Sequence, residues 1–119
     1  MKKLRFAVLG AGAGGQTMAA FLTDKGYPVR LYDHNLTRIQ QLQTLKTIRV
    51  TGKWTCQGTP EQIIDSLPQA LDGADIILVV TTTDAHSSIA RQCAPYLRDG
   101  QIILLNPCLL YTSDAADDT

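Results

Sequence analysis

The stretch that decides the fold is "LRFAVLGAGAGGQTMAAFLTDKG", residues 4–26. It opens on a short apolar run, 4–10, of the kind that forms a strand buried on both faces of a parallel sheet. A glycine-rich turn follows. From Gly15 onward, Met18, Phe21 and Leu22 fall at helical spacing, and Ala19 and Ala20 are small enough to let a helix lie close to a sheet. Lys25 and Gly26 mark the end of that helix, with Pro28 two residues beyond.

The turn itself reads Gly10-x-Gly12-x-x-Gly15. Gly10 permits the tight bend out of the strand. At Gly12 a side chain would keep the backbone away from a pyrophosphate. Gly15 lets the helix pack against the strand. The first N–H groups of the helix and its positive dipole end then favour an anion. Gly10, Ala11, Gly12, Ala13, Gly14 and Gly15 are therefore the candidate cofactor-binding turn. Asp33 closes the next apolar run, "VRLYD" (29–33), 23 positions after Gly10. That is close to the spacing of about 20 at which an acid meets the ribose of a dinucleotide. Its carboxylate could accept hydrogen bonds from both ribose hydroxyls and would repel a 2′-phosphate, so NAD is expected over NADP. Arg38, one helical turn on, keeps NADP possible.

The remaining chain continues the alternation. "NLTRIQQLQTL" is a helix with Asn35 as N-cap and Leu36, Ile39 and Leu42 at three-residue spacing. "TIRVTGKWTCQG" alternates around Thr51–Gly52 and reads as a small hairpin. "SLPQALDGAD" is a short helix capped by Ser66, with Pro68 in its first turn and Gly73 at its end. "ADIILVV" (74–80) is a further buried strand, "DAHSSIARQCAPYL" a helix, and "QIILLNP" the last strand. Such an order predicts a doubly wound α/β domain with a parallel sheet covered on both faces, a Rossmann-type dinucleotide-binding domain spanning 1–107. Thr81 and Thr82 follow a strand across the switch point and are candidate ribose or nicotinamide contacts. Asn106, at the end of the last strand, is a substrate-side or nicotinamide-side candidate. Thr83 is a further candidate for a ribose or nicotinamide contact, with Thr83 or Asp84 alternatively capping the next helix; His86 reads as a polar first-turn residue, Cys93 as core, and Tyr27 and Trp54 as packing residues.

Composition narrows the partners. Of 119 residues, 45% are hydrophobic, enough for one core. All 11 basic residues and eight of the 11 acidic ones precede residue 108, so the body carries +3 and the last twelve residues −3. A charge so small and so scattered suits an anionic small ligand and gives no argument for nucleic acid. The three cysteines show no metal spacing, and no metal is expected. No apolar window reaches the length of a membrane span, and the N-terminal run is too short for a signal peptide, so a cytoplasmic protein is expected.

Taken together, "FAVLGAGAGGQTMAAFLTDKGYPVRLYD", "IRVTG" and "LDGADIILVVTTTDAHSSIARQCAPYLRDGQIILLNP" resemble the N-terminal domain of the NAD/NADP octopine/nopaline (opine) dehydrogenase family over residues 4–107. The glycine motif is shared with glycerol-3-phosphate dehydrogenase and ketopantoate reductase. The resemblance implies an oxidoreductase that reduces the imine of an amino acid and a 2-oxo acid with NAD(P)H. In that family the acid/base histidine and its carboxylate partner lie on a helical C-terminal substrate domain, which nothing in 1–107 matches, so no catalytic residue is assigned here. Cys108 stands where the family continues with glycine. Residues 108–119, "CLLYTSDAADDT", resemble a translated sequencing adapter and are expected to be a non-native or disordered tail. The chain then reads as a cofactor-binding fragment, inactive by itself. Two other readings stand beside it: the same domain of a glycerol-3-phosphate dehydrogenase or ketopantoate reductase type of enzyme, and a non-catalytic NAD-sensing module.

Overall fold

The computed structural model describes residues 4–51, 55–80, 88–89 and 91–105. Five parallel strands form one sheet: β1 (Phe6–Leu9), β2 (Val29–Tyr32), β5 (Gln62–Ile64), β6 (Ile76–Val79) and β7 (Ile102–Leu105), in the order β5-β2-β1-β6-β7. The chain builds outward from β1 to one side through β2 and β5, then returns to the other side with β6. The strand order therefore reverses between β1 and β6, and the crevice at their C-terminal ends is where open α/β sheets bind ligands. In-register pairing of Leu9 with Tyr32 and with Val79 brings these three strand ends to one edge.

Residue alternation divides the core in two. Phe6, Val8, Val29, Leu31 and Leu78 face α1 (Ala13–Asp24), α2 (Leu36–Leu45) and the antiparallel pair β3 (Ile48–Val50) and β4 (Cys56–Gly58). Ala7, Leu9, Tyr32, Ile77 and Val79 face α3 (Leu67–Leu71) and the helical residues around Ile89 and Cys93. Both faces of β1 and β6 are thus covered, as their unbroken apolar sequences require, and β2 buries Leu31 and Tyr32 on opposite faces although Arg30 interrupts its apolar run. α1 ends as expected: Gly26 takes a left-handed conformation (φ 94°), Gly26 N–H donates to Thr23 and Tyr27 N–H to Leu22, closing the last turn.

Several expectations shift in detail. Strand β5 is absent from the sequence reading, because three residues between Glu61 and Asp65 are too short to show a period. The strands are shorter than their apolar runs, Phe6–Leu9 within 4–10, Val29–Tyr32 within 29–33 and Ile76–Val79 within 74–80. Phe21 is exposed, with the Lys25 ammonium over its ring, so the helix buries Leu22, Ala19 and Ala20 instead. Leu36 is exposed too, and α2 buries Ile39 and Leu42 instead. Tyr27 packs its ring edge-on to Phe6. Ser66 precedes α3 but makes no side-chain cap. The last strand departs most: Ile102, Ile103 and Leu104 are all exposed, so β7 is a bare edge rather than a buried strand. The turn of the hairpin, with Trp54, lies outside the described residues, as do 106–119 and with them the expected tail.

Candidate cofactor site

The glycine turn is fixed by the backbone around it. Gly10 has φ 115°, a region closed to residues with a side chain. Its N–H donates to Tyr32 at 2.7 Å, and Val80 N–H donates to Leu9 at 2.9 Å, so the turn hangs between the ends of β2 and β6. Gln16 folds back and donates its side-chain amide to the Ala11 carbonyl at 2.8 Å. That contact gave no sequence signal, since a glutamine after the third glycine has no distinctive spacing.

A Cβ on Gly15 would stand 1.6 Å from the Gly10 carbonyl oxygen, so the start of α1 touches the turn it follows. Gly12 is the opposite case, with nothing within 4 Å of an added Cβ. Beside that open space begins α1, with Gly12 at the N-cap. No side chain caps it and no acid lies in its first turn. The leading N–H groups of a helix have no partner within the helix, and they carry about half a positive charge between them. An anionic diphosphate fits that combination of room, donors and polarity.

Asp33 sits just past β2, 4% exposed, the one charged residue among the buried described ones. Its carboxylate is held from three directions. Oδ2 accepts from Ala11 N–H at 2.8 Å and from Arg38 Nη1 at 3.0 Å, and Oδ1 accepts from Asn35 N–H at 2.9 Å. His34 Nδ1 stands 3.4 Å from Oδ1. The sequence reading leaves both oxygens free for ribose hydroxyls; in the fold three of roughly four acceptor positions are occupied by the chain itself. Asn35 has two duties, since its side chain also accepts from Arg38 N–H at 3.0 Å and caps α2.

Burial by itself would raise the Asp33 carboxyl, but the N–H donors of Asn35 and Ala11 and the Arg38 guanidinium outweigh it and hold the group below its ordinary range. A carboxyl lowered by folding stabilises the fold above its unfolded value and loses that contribution as pH falls through the folded one. Melting temperature is therefore expected to be level from neutrality to about pH 5 and to drop below about pH 4, where the unfolded aspartate begins to protonate. Asp33→Asn should flatten that acid limb; an unchanged limb would place its origin elsewhere. Neighbouring Tyr32 is raised by burial and by the Asp33 charge. Cys93 is buried and its thiol is pushed up by burial, which suits its place in the core.

The fold thus brings Gly10–Gly15, Asp33 and Arg38 to one end of the sheet. Thr81, Thr82 and Asn106 lie outside the described residues, as do Thr83, Asp84 and His86. Among the described residues no helix is long and apolar enough to cross a membrane.

A parallel sheet with a glycine turn at its switch point, opening an uncapped helix, defines a Rossmann-type dinucleotide-binding domain. The chain belongs to the family described as the NAD-dependent glycerol-3-phosphate dehydrogenase N-terminus, whose model matches residues 5–106. It is 38% identical over 104 residues to opine dehydrogenase of Arthrobacter sp. (strain 1C), covering 86% of this chain and 29% of that protein. It is 34% identical over 109 residues to glycerol-3-phosphate dehydrogenase [NAD(P)+] of Levilactobacillus brevis, covering 92% of this chain and 32% of the relative. Among solved structures, octopine dehydrogenase with NADH and L-arginine superposes with a TM-score of 0.77 at 22% identity, over 88% of this chain and 28% of that one. Glycerol-3-phosphate dehydrogenase of Coxiella burnetii gives 0.73 at 25% identity, over 87% and 32%. The chain spans about three tenths of the length of these relatives.

Proposed function

We propose that this chain is the cofactor-binding part of an opine dehydrogenase-like oxidoreductase, which reduces the imine of an amino acid and a 2-oxo acid with NAD(P)H. The observation that carries this reading is the 38% identity to the Arthrobacter opine dehydrogenase, extending over 86% of the chain. The glycine turn cradles the diphosphate on the N-terminus of α1, and Thr81, Thr82 and Asn106 serve as the candidate contacts to ribose and nicotinamide. The bound nicotinamide supplies the hydride; this domain binds and orients it. The acid/base groups belong to a substrate domain outside residues 1–107, and residues 108–119 take no part. A second reading, a glycerol-3-phosphate dehydrogenase, is favoured by the family description and by the Levilactobacillus relative.

The test starts from the source DNA. The reading frame past the codon for Pro107 is amplified, and its complete product is assayed with two substrate sets. NADH oxidation that needs an amino acid and a 2-oxo acid together supports the opine reading. NAD reduction by glycerol 3-phosphate supports the second reading and sinks the first. A frame that itself encodes "CLLYTSDAADDT" and then stops would sink both.

A further inference from the structure

We infer that Gln16 is a positioning residue of the cofactor site: its side-chain amide fixes the Ala11–Gly12 peptide, so that the turn meets a diphosphate with N–H groups and not with a carbonyl oxygen. The inference rests on the reading of the glycine turn as a dinucleotide site. Ala11 is fully buried, and side chains from two other elements hold both of its backbone polar groups. Its N–H donates to Asp33 Oδ2 at 2.8 Å, and its carbonyl accepts from Gln16 Nε2 at 2.8 Å. Gln16 also supplies the first bond of α1, its own N–H donating to the Gly12 carbonyl at 2.9 Å. One residue therefore closes the helix with its backbone and the turn with its side chain.

The peptide that Gln16 holds is intrinsically loose. Four of the six residues 10–15 are glycine, which leaves the backbone free to turn. Rotation about the bonds on either side of the Ala11–Gly12 peptide would swing its carbonyl while Ala11 N–H stays on Asp33. Gly12 offers no resistance, since nothing lies within 4 Å of an added Cβ there. That open space is the one a diphosphate enters. A carbonyl oxygen turned into it would present partial negative charge to the anion. In a trans peptide the N–H points opposite the C=O, so Gly12 N–H would turn away at the same time. With the carbonyl held on Gln16, Gly12 N–H keeps its direction at the head of the unpartnered N–H groups of α1. This order exists before the ligand arrives, so binding does not have to supply it. In the free protein a released carbonyl would still reach water through the open space. Loss of the Gln16 bond therefore falls on binding more than on folding.

The test measures the dissociation constant of NADH by nicotinamide fluorescence, beside a melting curve by circular dichroism, for the 119-residue chain and for Gln16→Met and Gln16→Glu. Methionine keeps the length and the helix preference of glutamine and removes the donor without adding charge. Gln16→Met should weaken NADH by about tenfold and lower the melting temperature by less than about 5 °C. Gln16→Glu puts an acid near the positive end of α1, which favours the helix, and sets a carboxylate against the Ala11 carbonyl. It should weaken NADH by about tenfold or more with the melting temperature level or raised. A purely structural role would move affinity and stability together, and that result in both variants would overturn the inference. NADH affinity within about twofold of the parent in a folded Gln16→Met chain would overturn it as well. Failure of the parent chain itself to bind NADH would overturn the dinucleotide reading beneath it, a result separable from the other two.

Discussion

Gly12→Val is expected to leave the fold standing and to remove dinucleotide binding. Gly12 has φ −75° and ψ −167°, an extended conformation that valine adopts readily, and no heavy atom lies within 4 Å of an added Cβ. The Cβ of the substitution therefore meets open space in the protein itself. Its cost to stability is the poorer N-cap alone, about 1 kcal/mol. The open space it fills is the approach of an anion to the first N–H groups of α1. A steric cost of about 3 kcal/mol to a bound diphosphate corresponds to about a hundredfold loss of affinity. Titration with NADH, beside a melting curve, separates the two effects. Retained affinity would show that the diphosphate does not pass beside Gly12.

Gly15→Ala should do the reverse damage, three residues further on. In a free helix the change would stabilise by about 1 kcal/mol, because alanine loses less backbone entropy than glycine. Here the added Cβ would stand 1.6 Å from the Gly10 carbonyl oxygen and 2.7 Å from its carbon. Those are backbone atoms, and Gly10 is tied to Tyr32 by a 2.7 Å hydrogen bond, so neither side can yield cheaply. The helix start must withdraw from the turn. Overpacking of this kind costs about 3 kcal/mol or more, leaving a net loss of about 2 kcal/mol. For a domain near 100 residues that lowers the melting temperature by about 10 °C. A variant as stable as the parent would mean that α1 does not press on the turn. The two glycines thus separate one motif into a binding position and a packing position.

The sequence by itself determined the class of this domain. The apolar runs 6–9 and 76–80 are what strands covered on both faces require, and 29–33 repeats the pattern with Arg30 as its interruption and Asp33 at its end. Three glycines at fixed spacing have a backbone reason that acts over a few residues, so Gly10, Gly12 and Gly15 could be assigned separate duties before any fold was known. The same locality made the end of α1 at Gly26 and the cap at Asn35 legible. Tertiary structure alone decided what crosses the chain. β5 is three residues long and becomes a strand only because β2 offers it an edge, pairing Leu31 with Ile63. Phe21 and Leu22 are equally apolar neighbours on one helix, and only the direction of the sheet buries one and exposes the other. Asp33 shows the difference most clearly. Its place after β2 was readable, but the donors that hold its carboxylate were not, because one of those N–H groups belongs to Ala11, 22 positions earlier in the chain. A carboxylate's free acceptors depend on every donor that folding brings within about 3 Å, and spacing along one segment carries no record of those.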